Sequence, residues 1–157
     1  VDPKFILGGQ GNLWAEAIPT LDFAFYMAYP RAFALSETLW SLKEKKNWNS
    51  FIFRTEVHFS RFDESKTNIS KAIFDPIVTV YMEDEKLICE LNNSVPNTEI
   101  YYTINNTYPV QFGQIYKEAF EIPTGDLNLR IRTYRDGKPI GRELIIHRTE
   151  LEKRASK

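Results

Sequence analysis

The sequence predicts an α+β chain made of two consecutive segments. The first segment is the last β/α piece of an incomplete β/α domain, with its helices. The second segment is a small antiparallel β-sandwich. The hydrophobic pattern predicts this division, because its period is helical up to about residue 62 and changes to two from Pro76 onward. The 157 residues allow one domain of ordinary size or two small ones. We therefore predict an incomplete first domain over 1–62, a connector over 63–75 and a sandwich domain over 76–157.

A short apolar run near the start predicts a buried strand. Phe5 to Leu7 are apolar and two glycines follow directly, which suits a strand covered on both faces of a parallel sheet. One strand and three helices cannot enclose the aromatic surface of this segment. We therefore expect the earlier strands of a repeating β/α structure to be missing from this chain, and a compact helical subdomain is the alternative.

Helical periodicity follows this run. Thr20 is suited to cap the first helix, and from Leu21 to Leu39 apolar residues recur at alternating spacings of four and three. Additional aromatic residues widen this surface, so we expect it to be covered on more than one side. Pro30 should kink or split the helix. A third helix is expected over 48–62, with charged residues such as Arg54 and Arg61 facing solvent.

Period-two alternation dominates the second half of the chain. The strand-like runs are "IVTVYM", "KLICEL", "TEIYYTI" and "LNLRIRTY", and turn-forming residues separate them. Five or more short strands at this spacing indicate a small antiparallel sandwich. The final "ELEKRASK" is expected to fray.

Composition excludes several classes of protein. A formal net charge of −1 argues against a nucleic-acid binder, and no apolar run reaches the roughly 18 residues of a membrane span. Cys89 is the only cysteine, so disulfide frameworks and cysteine zinc clusters are excluded, and its alternation with leucines predicts burial. His58 and His147 are too isolated to suggest a metal site. We expect no metal and no cofactor. Val1 is not a natural start, so we expect the chain to be part of a longer protein.

The stretch "ILGGQGNLWAEA" combines a glycine-rich loop with two residues suited to sugar binding. The indole of Trp14 can pack against the C–H face of a pyranose, and the carboxylate of Glu16 can accept hydrogen bonds from two neighbouring hydroxyls. If the preceding run is a barrel strand, both residues follow its carboxyl end, where β/α barrels carry their active sites. A loop tryptophan is also commonly a core or lid residue, and both interpretations remain open at this point.

Residues 5–41 closely resemble the last β/α unit of the retaining β-N-acetylhexosaminidases. That family has a strand, then Gly-Gly-Gln/Glu-x-x-x-Trp-x-Glu, then a helix with Pro-Arg, Ala-Leu-x-Glu and Leu-Trp-Ser, matching "ILGGQGNLWAEAI" and "YMAYPRAFALSETLWS" here. "WNSFIFRTEVHFSRFD" resembles the helix that follows the barrel in bacterial members. "IYYTINNTYPVQFGQIYKEAFEI" and "LRIRTYRDGKPIG" resemble their C-terminal β-sandwich, although Asn105-Asn106 replaces Asp-Gly. The resemblance implies that the first domain is the end of a (β/α)8, or TIM, barrel.

The resemblance also implies roles for individual residues. By position, Trp14 walls the pocket around the terminal N-acetylated sugar, and Glu16 hydrogen-bonds the hydroxyls on the far side of that sugar. Arg31 and Glu37 match structural residues of the helix, where they are expected to hold it against neighbouring elements, and Trp40 is expected in the core. All five are binding or structural residues, so no catalytic residue is predicted in this chain.

The implied activity is that of a glycoside hydrolase, an exo-acting β-N-acetylhexosaminidase of the chitobiase kind. Members use substrate assistance: the sugar's acetamido oxygen attacks the anomeric carbon, while an Asp-Glu pair on an earlier barrel strand orients it and transfers protons. The dipeptides Asp63-Glu64 and Asp84-Glu85 follow no buried strand and are expected to be solvated surface charge. The 157-residue segment alone is therefore expected to be inactive.

A hypothesis from a different class is a non-catalytic carbohydrate-binding or interaction module. It would use an aromatic platform on the sandwich formed by Tyr101, Tyr102, Tyr108 and Tyr116. Alternation puts Tyr101 and Tyr102 on opposite faces, so packing of these tyrosines in the sandwich is the favoured interpretation. The expected partners are an N-acetylhexosamine-containing glycan and, through an exposed apolar face, the rest of the barrel or a second copy of the chain. A periplasmic or secreted location is implied by the family alone.

Overall fold

The protein combines helices with antiparallel sheets. A computed structural model describes residues 2–110 and 113–156, apart from the side chain of Pro3. The chain divides into two compact units, Val1–Ser70 and Lys71–Lys157, and the division falls inside the predicted connector. Of the residues in the predicted domains, Val1, Gln111, Phe112 and Lys157 lie outside the described residues.

The first unit is helical. Its helices are α1 (Leu21–Ala28), α2 (Arg31–Trp40) and α3 (Trp48–Glu64). The hydroxyl of Thr20 accepts a hydrogen bond from the backbone N–H of Phe23 at 3.1 Å, which confirms the predicted cap. The helical run is split between α1 and α2 at the cis Tyr29–Pro30 peptide, as Pro30 predicted.

The predicted strand at Phe5 to Leu7 is wrong. Pro3–Phe5 form a 3-10 turn, and the side chains of the run are exposed, Leu7 completely. A strand needs neighbouring strands to satisfy its backbone groups and cover its faces, and the described residues of this unit contain no strand. Without such neighbours the same apolar residues remain in an irregular segment.

Coverage of the first two helices on several sides is also wrong. None of the residues of α1 and α2 is buried, and Trp40, which was expected in the core, is 86% exposed. The buried residues lie instead on α3, at Phe51, Ile52, Thr55 and Phe59. An apolar helix face is buried only where another element packs on it, and within this unit α3 covers one side of α2.

The second unit is built on two antiparallel sheets. The strands are β1 (Ile77–Glu83), β2 (Lys86–Asn92), β3 (Glu99–Thr103), β4 (Gln114–Ile115), β5 (Phe120–Glu121), β6 (Asn128–Arg135), β7 (Lys138–Pro139) and β8 (Leu144–His147). One sheet has the order β1-β2-β5, and the other has the order β4-β3-β6-β7 with β8 also paired to β6. The strand-like runs of the sequence thus correspond to β1, β2, β3 and β6.

Side chains from both sheets form one hydrophobic core. Alternate residues of β2 point inward, with Cys89 at its centre completely buried, as predicted. They meet apolar residues of β3, β6 and β8 in a single cluster: Leu87, Cys89, Leu91, Ile100, Ile122, Leu129, Ile131, Ile146 and Leu151. The period-two pattern is therefore the pattern of a sheet that is buried on one face.

The expectation that the C-terminal segment frays is wrong. Helix α4 spans Arg148–Ala155, and His147 caps it by accepting a hydrogen bond from the backbone N–H of Thr149. Leu151 is completely buried in the core of the second unit. Burial of one leucine and the capped first turn stabilise a helix that the polar sequence of this segment does not by itself predict.

No helix of the described residues is long and apolar enough to cross a membrane.

Candidate functional site

The loop that carries Trp14 and Glu16 lies against α2. A β-carbon added at Gly9 would come within 3.0 Å of Leu39, and one added at Gly11 would come within 3.1 Å of Leu35. A side chain at either position would therefore need the leucine ends of α2 to shift by a few tenths of an ångström. The two glycines thus allow a close approach of the loop to α2.

Trp14 and Glu16 both point to solvent. Trp14 is in an extended conformation directly before a 3-10 turn formed by Ala15–Ala17, and Glu16 is in the middle of that turn. The Trp14 side chain is 72% exposed, and Glu16 is exposed as well. Within this chain the indole is therefore not a core residue. An accessible indole and an accessible carboxylate two residues apart are suited to contacting a polar ligand that has an apolar face.

Arg31 closes the end of the helix that precedes it. Its Nη1 donates to the backbone carbonyls of Tyr26 at 3.3 Å and Met27 at 2.9 Å. These carbonyls belong to the last turn of α1, where intrahelical donors are missing. Arg31 therefore joins the C-terminal end of α1 to the start of α2.

Glu37 joins α2 to α3. Its carboxylate accepts hydrogen bonds from Arg54 Nη2 at 2.8 Å, Arg54 Nη1 at 3.1 Å and the Ser41 hydroxyl at 3.1 Å. The hydrogen bonds from Arg54 hold the pKa of Glu37 below its usual value, with a smaller contribution from Ser41. Both carboxylate oxygens are occupied within the protein, so Glu37 is not available as a proton-transfer group.

The two Asp-Glu dipeptides are surface residues. Asp63 and Glu64 end α3, and Asp84 and Glu85 form the turn between β1 and β2 with φ angles of 48° and 63°. All of these side chains are exposed, as predicted. In the part of the chain that the structure describes, no three His, Cys, Asp or Glu side chains are grouped to hold a metal ion.

The tyrosines do not form an exposed platform. Tyr101 is buried with its ring centroid 4.8 Å from that of Tyr134, and Tyr102 stacks on Phe120 at 4.1 Å. Tyr108 is 65% exposed, but one face of its ring lies against the guanidinium of Arg130. Burial of Tyr101 favours the packing interpretation over the aromatic-platform hypothesis.

A cavity between α2 and α3 was missed by the sequence analysis. Arg54, His58 and Arg61 line it, and both arginines are exposed, as predicted. The signal was present, because positions 54, 58 and 61 are spaced by four and three residues and share one helix face.

Comparisons with known proteins agree with the resemblance in the sequence. The model of the glycosyl hydrolase family 20 catalytic domain matches residues 2–43, and a model described as Fn3 associated matches residues 89–142. A beta-hexosaminidase of Porphyromonas gingivalis is 27% identical over 155 residues, which cover 96% of this chain and 19% of the relative. A beta-hexosaminidase of Akkermansia muciniphila is 41% identical over 46 residues, which cover 29% of this chain and 9% of the relative.

Residues 2–43, which include the exposed Trp14 and Glu16, are thus similar to the glycosyl hydrolase family 20 catalytic domain. The predicted resemblance to beta-hexosaminidases is confirmed by both relatives. The matched regions cover only about a fifth of the first relative's length and about a tenth of the second's.

Proposed function

We propose that this chain is the C-terminal portion of a β-N-acetylhexosaminidase that removes terminal N-acetylhexosamine from glycans. The observation that carries the proposal is the exposed pair of Trp14 and Glu16 on one short turn, inside the segment that matches the family 20 catalytic domain. In this proposal the indole of Trp14 walls the sugar pocket. The carboxylate of Glu16 accepts hydrogen bonds from sugar hydroxyls on the far side of the ring.

The hydrolysis itself is proposed to be substrate-assisted and retaining. The acetamido oxygen of the sugar attacks the anomeric carbon, an aspartate orients the acetamido group, and a glutamate protonates the leaving oxygen and then activates water. Asp63-Glu64 and Asp84-Glu85 are exposed at a helix end and a hairpin turn, and neither dipeptide follows a buried strand. The catalytic pair is therefore proposed to come from a part of the protein outside these 157 residues.

The first unit is proposed to complete a (β/α)8 barrel, and the second to form the C-terminal β-sandwich domain. Support comes from the apolar side chains that the first unit leaves exposed, which include Leu7, Leu21, Trp40 and Leu42. Apolar surface of this extent is normally covered by another element. In this proposal the other barrel strands and helices cover it.

The decisive experiment measures hydrolysis of 4-nitrophenyl N-acetyl-β-glucosaminide by the longer enzyme that carries this segment. Because a hydrogen bond to a charged group contributes about 1.5–3 kcal/mol, Glu16→Gln should lower kcat/KM by roughly ten- to a hundredfold. Trp14→Ala should cause a loss of similar size. Glu44→Gln, which changes an exposed glutamate in a 3-10 turn, is the matched control and should retain full activity. Wild-type kcat/KM for both site variants would refute the proposed sugar contacts.

A second measurement tests whether the acid/base pair lies outside this chain. The purified 157-residue chain should not hydrolyse this substrate, because it supplies binding residues without the acid/base pair. Measurable turnover by the isolated chain would overturn that assignment.

A periplasmic or secreted location is also proposed, on the resemblance alone, and fractionation of cells that express the protein would test it.

A further inference from the structure

A cavity of about 290 Å³ lies between α2 and α3, within the first unit. One wall is formed by Arg54, His58 and Arg61 of α3, and the opposite side includes Phe33 and Glu37 of α2. The three basic residues face the same way because residues four and three positions apart lie on one face of a helix. The cavity thus combines several nitrogen donors with an aromatic surface.

The cavity carries surplus positive charge. Glu37 is the only carboxylate of the described lining, and Arg54 already binds both of its oxygens. Arg61 lines the cavity with an exposed side chain, and among the described residues this side chain forms no hydrogen bond or ion pair. The guanidinium of Arg61 is therefore a cation without a counter-ion at a concave surface.

Two of the three donor side chains, Arg54 and His58, are held in position by other residues. Arg54 is held by its two-pronged contact with Glu37, and the His58 ring lies on Phe33 with a centroid separation of 5.0 Å. Side chains fixed in this way lose little conformational freedom when a ligand binds. The remaining N–H groups of Arg54, together with those of His58 and Arg61, can then donate to one anion.

We propose that this cavity binds a tetrahedral oxyanion, a phosphate or sulfate group, carried as an ester on an apolar body. Guanidinium groups match the geometry of such anions and donate to two of their oxygens at once. Phe33 of α2 and Phe51 of α3, which also line the cavity, provide apolar surface for the body of the ester. This site is separate from the proposed sugar contacts at Trp14 and Glu16 and does not depend on them.

The test titrates the ¹⁵N-labelled 157-residue chain and follows its amide NMR signals. Three probes are compared: phenyl phosphate, inorganic phosphate and sodium chloride at equal ionic strength. Phenyl phosphate should shift signals of α2 and α3 around Phe33 and His58 in a saturable way and bind more tightly than inorganic phosphate. Tighter binding of inorganic phosphate would assign the site to the free ion, against the ester proposal. Shifts that sodium chloride reproduces would overturn the site altogether.

Variants then locate the site. Arg61→Gln removes one exposed cation and should weaken phenyl phosphate binding about tenfold, the effect of one charge-assisted hydrogen bond. Arg154→Gln makes the same change on α4 of the other unit, and binding should be unchanged. The amide spectrum of each variant establishes that it is folded. Equal weakening by both substitutions would show that only net charge matters, and unchanged binding in Arg61→Gln would also refute the proposal.

Discussion

Arg54 on α3 donates hydrogen bonds from both terminal nitrogens to the two carboxylate oxygens of Glu37 on α2, at 2.8 and 3.1 Å. The Glu37 side chain is only 16% exposed, whereas that of Arg54 is 52% exposed. Ser41 supplies a third hydrogen bond to the same carboxylate. This geometry stabilises the ionised form of Glu37, and it connects two helices that otherwise meet through aromatic rings.

Glu37→Gln should make the first unit less stable at neutral pH and less sensitive to acid. The hydrogen bonds from Arg54 are the main reason that the pKa of Glu37 is lowered in the folded state. The contribution of the Glu37 carboxylate to the free energy of unfolding is therefore complete above the unfolded pKa of about 4.3, and it is lost as the pH falls through the lower folded pKa. Urea unfolding of wild type and variant at pH 7 and pH 3, followed by amide signals of α2 and α3, measures this. The difference in stability between wild type and Glu37→Gln should be smaller at pH 3 than at pH 7. Glu44→Gln, on an exposed turn, should behave as wild type, and a constant gap between Glu37→Gln and wild type would contradict the role of the carboxylate.

Leu151→Ala should strongly destabilise the second unit. Leu151 is completely buried on α4, and truncation of a buried leucine costs about 2–5 kcal/mol because it leaves a cavity. The free energy of unfolding is obtained from urea titrations that follow amide signals of β2 and β6. Ile145→Ala, which truncates a 54% exposed residue on β8, should cost much less. Equal effects would show that α4 does not contribute to the core.

Asn47→Ala should loosen the start of α3. The Asn47 side chain accepts a hydrogen bond from the backbone N–H of Ser50 at 2.9 Å, and loss of such a cap costs about 1 kcal/mol. Asn47→Asp keeps the acceptor and should restore most of the stability. Hydrogen exchange of the first-turn amides of α3 distinguishes the two variants. Fast exchange in both would show that the side-chain acceptor is unimportant.

Cys89 should be unreactive in the folded protein. Burial raises the pKa of its thiol to about 12, so the folded chain holds almost no thiolate at pH 8. A chromogenic disulfide reagent should therefore modify the thiol only at the rate of unfolding, and rapidly in concentrated urea. Fast modification of the folded chain would contradict the burial.

The same shift gives Cys89 a contribution to alkaline stability. A raised folded pKa contributes stability below the unfolded value near 9, and this is lost as the pH rises toward 12. At pH 10 the loss is about 1–2 kcal/mol. Cys89→Ala removes this part of the pH dependence while retaining the tyrosines and lysines. Identical pH profiles for wild type and variant would refute it.

The candidate sugar contacts were recognisable from the sequence, whereas the cavity on α3 was not. Trp14 and Glu16 stand in a motif whose spacing is specific, and their side chains are exposed in the structure. Their role in sugar binding stays a prediction. Arg54, His58 and Arg61 are visible in the sequence as a helix face, but whether that face meets solvent, a carboxylate or a concave surface depends on where α2 lies.

Local chemistry is what the sequence by itself determined. The cap at Thr20, the break at Pro30, the period-two strands and the burial of Cys89 each depend on interactions within a few residues or on an alternation that has one stable solution. The tertiary structure alone decided whether apolar segments were covered. Phe5 to Leu7 and Trp40 are exposed because no neighbouring element covers them. Leu151 is buried because it packs into the core that the two sheets share. Burial is a property of two surfaces, and a sequence pattern describes only one of them.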